Sequence, residues 1–171
     1  MKQKTGKAFA PAAISSFFEV HDTEGDKPIF DLQKVDARGE GFGLQKGVLT
    51  KITAKEAENS SIKVFINSMP TVEAKTTTKV VEMLLGGINA KYDVTVEHRI
   101  EVPIGAGFGT SAGGALTVGL ALKEALDLPL TYNQIGKIAH VAHAQQSILA
   151  SAGLSGPSQP KFLSCYCSDR Q

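Results

Sequence analysis

The stretch Val102-Pro103-Ile104-Gly105-Ala106-Gly107-Phe108-Gly109-Thr110-Ser111-Ala112-Gly113-Gly114-Ala115 decides how this chain is read. Gly105, Gly107 and Gly109 alternate with other residues, which lets the backbone turn sharply and approach a ligand without side-chain obstruction. Their N–H groups can converge on an anion as a nest. From Ser111 no breaker stronger than Gly113, Gly114 and Gly119 occurs before Asp127-Leu128-Pro129, so the spacing predicts a helix over 111–126. The start of that helix adds unpaired N–H donors and the positive end of a dipole. The dipole contributes roughly 0.3–1 kcal/mol when exposed and up to ~2 kcal/mol when partly buried. Thr110 and Ser111 supply hydroxyls where a cation bridging phosphates would sit. A tight turn whose glycines serve only helix–strand packing is the competing reading. The glycines, the Thr-Ser pair and the small-residue helix together favour a phosphate cradle.

Two better-known cradles do not fit. A P-loop needs Lys followed by Ser or Thr after its last glycine, and neither step is present. The dinucleotide fingerprint needs a wider gap between its second and third glycines than the lone Phe108 provides.

Upstream, Tyr92 to Val102 is the cleanest strand. Val94, Val96, Ile100 and Val102 share one face with His98, and Thr95, Glu97, Arg99 and Glu101 share the other. His98 on that apolar face is expected to be a satisfied packing residue. A helical spacing precedes it, from Thr71 through Val72, Thr76, Val80, Met83 and Leu84, and Gly86-Gly87 ends it. Ile62 to Asn67 alternates as a strand, and Gly47 to Ala54 reads as another. Arg38-Gly39-Glu40-Gly41-Phe42-Gly43 is expected to be a glycine-rich turn. A further apolar piece begins at Ile29 after the polar turn His21 to Pro28. Ala8 to Val20 forms a first strand of small apolar residues, in which Pro11 predicts an edge position or a bulge.

Downstream, Thr131 and Gln134 form a capping box for a helix from Tyr132 to about His143. The order of strands, helix, strand and two helices is an α+β pattern. Residues 1–144 therefore read as one lobe. Residues 145–171 read as an irregular tail, rich in Ser, Gln, Gly and Pro, and the abrupt loss of period there suggests a change of reading frame near His143.

The 171 residues carry a formal charge of +1, with 18 Lys and Arg against 17 Asp and Glu. That balance, with no clustering of basic and aromatic residues, excludes an electrostatic case for nucleic acid or an acidic membrane. Ala8 to Phe18 is too interrupted for a signal peptide or a span. Cys165 and Cys167 are too close for a structural disulfide, and the expectation is a soluble cytoplasmic protein. His140 and His143 lie on one helix without a third ligand nearby in sequence, and read as ordinary helix residues.

The loop resembles the second motif of the GHMP kinases, which runs Pro, three variable residues, then Gly-Leu-Gly-Ser-Ser-Ala-Ala. Pro103, Gly107, Gly109, Ser111 and Ala112 match it, with Phe108 in place of Leu, Thr110 of Ser and Gly113 of the second Ala. The family's first motif, Ala-Pro-Gly-Lys followed by Gly-Glu-His, is echoed at Ala10-Pro11-Ala12-Ala13 and Glu19. There Ala13 replaces the Lys, and Phe18 and Val20 replace the Gly and His. Phe9 to Ala12, Phe17-Phe18 and Gly39 to Gly47 together look most like the archaeal pantoate kinase branch.

The resemblance implies an amino-terminal lobe related to ribosomal protein folds, without the carboxy-terminal lobe that completes such enzymes. It implies ATP and Mg²⁺ as cofactors, with ATP held by Pro103, Gly105, Gly107, Phe108, Gly109, Thr110, Ser111 and Ala112. Ser111 or Thr110 would help to hold the metal. The acceptor implied is a small hydroxy acid, pantoate first, with Glu19, Arg38 and Lys46 as substrate-side candidates; solvated side chains explain these three as well. No catalytic residue can be named. The metal-binding Glu and the Asp base found in many members have no counterpart, since no Asp or Glu occurs between Asp127 and Asp169. The activity of such a chain stays open, and a non-catalytic nucleotide-binding module is the alternative. A lobe without its mate exposes apolar surface that favours a homo-oligomer.

Overall fold

The computed structural model describes residues 3–31 and 33–152. Cys165, Cys167 and the tail beyond residue 152 lie outside them. The long strand β1 (Lys4–His21) leads through a small hairpin, β2 (Thr23–Glu24) and β3 (Lys27–Pro28), to the still longer β4 (Asp36–Glu56). Next come β5 (Ser61–Ile66), β6 (Met69–Pro70), helix α1 (Lys75–Leu85), β7 (Tyr92–Ile100), α2 (Thr110–Leu126) and α3 (Tyr132–Ala152). The main sheet has the order β1-β4-β7-β5-β6. β5 and β7 are parallel, joined by a crossover through α1, and the other pairings are antiparallel. This is the α+β class expected.

All three helices lie on one face, and period-two burial shows which residues meet them. Along β1 the small residues Gly6, Ala8, Ala10 and Ala12 turn inward. Val48, Thr50, Ile52 and Ala54 do so along β4, and Tyr92, Val94, Val96 and His98 along β7. Ile52 and Val96 are fully buried, as are Val80, Val118, Leu122 and Ile135 from the helices. Each such side chain contributes on the order of 1.5–3 kcal/mol. The small residues of β1 have a geometric cause. A Cβ on Gly6 would overlap the carbonyl oxygen of Ala121 and lie 2.8 Å from the Ala125 nitrogen, so α2 rests directly on the strand backbone. Phe9 and Leu49, paired on the opposite face, are exposed, as are Ile14, Phe17 and Phe42 farther along the β1–β4 hairpin.

Four sequence expectations need correction. Gly39, Gly41 and Gly43 are not a turn but lie inside β4, opposite Phe18, Ser15 and Ala13. β1 has register shifts at Pro11/Ala13 and Ser15/Phe17, and a Cβ on Gly39 or Gly41 would strike carbonyls of β1. Glycine therefore serves close strand approach here. Helix α1 starts at Lys75 rather than Thr71, because Met69–Pro70 pairs with β5 and the Thr71 N–H donates to the Val64 carbonyl at 3.0 Å. Its buried stripe is Thr77, Val80, Val81, Leu84 and Leu85, and Val72 is exposed. Ile29 opens no strand; its N–H closes the small hairpin on the Asp22 carbonyl at 2.8 Å. Helix α3 continues past His143 to Ala152, as no Gly or Pro interrupts the chain between Gly136 and Gly153.

Other expectations match. β1 is an edge strand with a register shift at Pro11. The Thr131–Gln134 capping box forms reciprocally: Gln134 Oε1 accepts the Thr131 N–H at 2.8 Å, and Thr131 Oγ1 accepts the Gln134 N–H at 3.3 Å.

Candidate functional site: the glycine loop and the start of α2

The loop between β7 and α2 runs from Glu101 to Gly109. Gly105, Gly107 and Gly109 all have positive φ, at 78°, 82° and 68°. Side-chain-bearing residues rarely adopt this backbone, which explains three glycines at alternate positions. At Gly105 and Gly107 nothing lies within 4 Å of where a Cβ would stand, so that side of the loop is open. Gly109 is the N-cap of α2, and no side chain caps the helix. The helix has no acidic residue in its first turn to offset its positive end. Thr110 and Ala112 are half-buried there and Ser111 is exposed.

Three fixtures hold this loop. At its start, the Asn67 side chain accepts the Ile100 N–H at 2.8 Å and donates to the Ile100 carbonyl at 3.2 Å. Asn67 can do this because Asn67 and Ser68 both take positive φ in the two-residue turn of the β5–β6 hairpin. The Glu101 N–H then donates to the Gly47 carbonyl at 3.0 Å. Near the loop's end, the Ala13 N–H donates to the Phe108 carbonyl at 3.3 Å. Ala13 follows the register shift at Pro11, so the irregularity in β1 frees the donor that pins the loop.

Beneath the first turns of α2 lies a buried polar chain. Thr77 Oγ1 is 3.0 Å from His98 Nε2, His98 Nδ1 is 2.8 Å from Thr50 Oγ1, and Thr50 Oγ1 is 2.6 Å from Thr117 Oγ1. Thr117 in turn donates to the Gly114 carbonyl at 3.1 Å. All four side chains are at most 5% exposed. Burial pushes the His98 imidazole down to about 4, so it is neutral at physiological pH. The sequence showed His98 on an apolar face, and it is indeed hydrogen-bonded. The three threonines were missed; the available signal was their place within otherwise apolar stripes of β4, α1 and α2.

The substrate-side candidates lie apart. Glu19 and Arg38 are opposite one another on β1 and β4. Lys46 is next to Gly47, whose carbonyl anchors the loop. Arg38 and Lys46 are eight positions apart along β4, roughly 27 Å at the usual rise. Only Lys46 is thus placed near the loop. Among the described residues no group of three or more His, Cys, Asp or Glu could hold a metal ion, His140 and His143 included. Burial, and then the charge of His140, lower the pKa of His143.

The profile of the family described as "GHMP kinases N terminal domain" matches residues 74–156, which span α1, β7, the loop and both later helices. Pantoate kinase of Thermococcus kodakarensis is 34% identical over 145 residues, covering 81% of this chain and 44% of that protein. The chain belongs to the GHMP kinase superfamily. A solved structure described as a phosphotransferase related to the CoA biosynthesis pathway superposes with a TM-score of 0.73 at 30% identity, covering 84% of this chain and 46% of the other. Mevalonate diphosphate decarboxylase from Staphylococcus aureus shares the fold, with a TM-score of 0.63 at 18% identity over 84% of this chain and 43% of that one. The chain spans less than half the length of these GHMP relatives. What it contains is their amino-terminal lobe, as the motifs implied.

The nucleotide expected of a GHMP kinase fits the residues present. The loop offers open space beside Gly105 and Gly107, three glycines of positive φ and an uncapped helix start, which suit a polyphosphate. The hard oxygens of Thr110 and Ser111 suit Mg²⁺ as a partner of that polyphosphate, rather than as an ion in an all-protein cage. Among the described residues no helix is long and apolar enough to cross a membrane.

Proposed function

We propose that this lobe binds MgATP with its triphosphate in the Gly105–Gly109 loop, for transfer of the γ-phosphoryl group to a hydroxyl of a small hydroxy acid. The observation that carries the reading is the run of three positive-φ glycines leading into an α2 start that no side chain caps. Pro103 and Phe108 shape the ends of the loop, and the backbone N–H groups from Gly105 to Ala112 face the phosphates. Thr110 and Ser111 help to hold Mg²⁺. The metal supplies charge neutralisation between the phosphates, while the chain's own residues bind and orient. Such transfer relies mainly on positioning and on stabilising spread negative charge, so a rigid loop fixed at three points suits it.

Pantoate is the proposed acceptor, supported by the likeness to a pantoate kinase and to a phosphotransferase related to CoA biosynthesis. Lys46, next to the loop's anchor on β4, is the better placed cation for its carboxylate. Glu19 and Arg38 belong to the far end of the hairpin and would serve only in a larger assembly.

A second reading, nucleotide binding without catalysis, is favoured by one observation. Helix α3 carries no carboxylate, and the carboxylate of Glu101 at the loop's start is paired with Arg99 at 3.5 Å.

Titrating the chain with MgATP and with adenosine, while following backbone amides, tests the site. MgATP should shift the amides of Gly105 to Gly113, and adenosine should leave them in place. Shifts confined to other residues would refute the cradle. Adding pantoate and looking for phosphopantoate then separates the two readings: transfer supports the kinase, and binding without transfer supports the module.

A further inference from the structure

The buried chain beneath α2 has one consistent arrangement of protons. Thr117 has a single hydroxyl hydrogen, and it is given to the Gly114 carbonyl. Thr117 Oγ1 must therefore accept from Thr50 across 2.6 Å. Thr50, its own hydrogen spent, must accept from His98 Nδ1 across 2.8 Å. A neutral imidazole has one N–H, so Nε2 is bare and accepts from Thr77 across 3.0 Å. Each member gives one hydrogen and receives one, except Thr77 at the head. Protonation of Nε2, in the other tautomer or in the cation, would leave the Thr77 hydroxyl hydrogen without an acceptor in this chain.

This directed chain joins α1, β7, β4 and α2, and it ends one turn inside the helix start that faces the proposed phosphate site. The His98 ring also abuts that turn, with Cε1 3.7 Å from where a Gly114 Cβ would stand. A Cβ on Gly113, beside it, would stand 3.6 Å from side-chain atoms of Ala10 and Val48. Small residues thus let α2 lie close to the sheet, and directional hydrogen bonds add to apolar packing a constraint on its rotation and axial position.

We propose that His98, in its Nδ1–H tautomer, is a positioning residue: through Thr50 and Thr117 it sets the rotation of α2 and so the aim of the Gly109–Gly113 amides at the phosphates. The claim about the loop stands on the ligand-free structure, and only its consequence for affinity rests on the nucleotide reading above.

The test uses the whole chain and four variants: Thr117→Val, Thr117→Ser, His98→Leu and, as a control, Val64→Ala. Val64 is a buried residue of β5 outside the chain of hydrogen bonds. Isotope-labelled histidine NMR should show His98 protonated at Nδ1 and bare at Nε2; a proton on Nε2 overturns the proposal. In the ligand-free protein, Thr117→Val should shift the amides of Gly109 to Gly113 and speed their hydrogen exchange, and Thr117→Ser should restore both. MgATP affinity should fall about fivefold to tenfold in Thr117→Val, the loss of one ordinary hydrogen bond expressed as binding. It should fall further in His98→Leu and hold in Val64→Ala. If His98→Leu does not fold, the isosteric Thr117→Val and its serine rescue still decide. Unchanged loop amides in Thr117→Val overturn the proposal, as does an equal change in Val64→Ala. A wild type that binds no MgATP refutes the nucleotide reading instead, and the ligand-free amides then decide the positioning claim by themselves.

Discussion

Acidification will remove stability that His98 contributes at neutral pH. The imidazole is 4% exposed, and burial lowers its pKa from 6.5 to about 4. In the unfolded chain the same ring takes up a proton near its ordinary value. Between those two values the unfolded state holds the additional proton, so stability rises with pH across that window. The contribution is complete above about pH 6.5, falls as the pH drops, and is gone below about pH 4. Over that window of about 2.5 pH units, at roughly 1.4 kcal/mol per unit, the whole effect is about 3–4 kcal/mol. That is a large share of the roughly 5–15 kcal/mol that holds an ordinary domain together. Carboxylates titrate at the lower end of the window, and His143 is lowered in the same direction by burial and by His140. The informative quantity is therefore a difference. Urea denaturation of the wild type and of His98→Asn, in buffers from about pH 7.5 to about pH 4.5, isolates the His98 term. The variant starts less stable, and the two curves should converge as the pH falls. Curves that stay parallel would refute the reasoning, because they would mean that His98 titrates alike in the folded and unfolded chain.

Two further predictions concern the scaffold. Gly6→Ala drives a methyl into the Ala121 carbonyl and should destabilise the fold by about 1–3 kcal/mol or more, read as a lower thermal midpoint. Thr131→Ala removes one half of the capping box at α3 and should cost about 1 kcal/mol in urea denaturation, while leaving the glycine loop's amide spectrum unchanged.

Much of this architecture was legible because local chemistry and tertiary packing agree. The alternation in β7, the capping box at Thr131 and the bulge at Pro11 each depend on neighbours within a few residues. The glycine loop was legible for the same reason, since positive φ at Gly105, Gly107 and Gly109 is a local demand. Gly39, Gly41 and Gly43 misled because two causes leave the same mark. A glycine required by a close partner strand looks like one required by a turn, and only the β1 carbonyls tell them apart. The start of α1 was missed because Met69–Pro70 and Thr71 are held by β5, which competes with the helical period from Thr71. The polar chain under α2 was out of reach for a different reason. Thr50 and His98 are 48 residues apart, and Thr50 and Thr117 are 67 apart, so nothing local links them.

Calorimetric titration with MgATP of the wild type and of Gly107→Val asks whether the Gly105–Gly109 loop is a phosphate cradle. At φ 82° a β-branched residue is strained by about 1–3 kcal/mol, and its methyls would occupy the open side that the phosphates need. A phosphate cradle requires saturable binding by the wild type and none by a variant that still folds. Equal affinity in the two would contradict it.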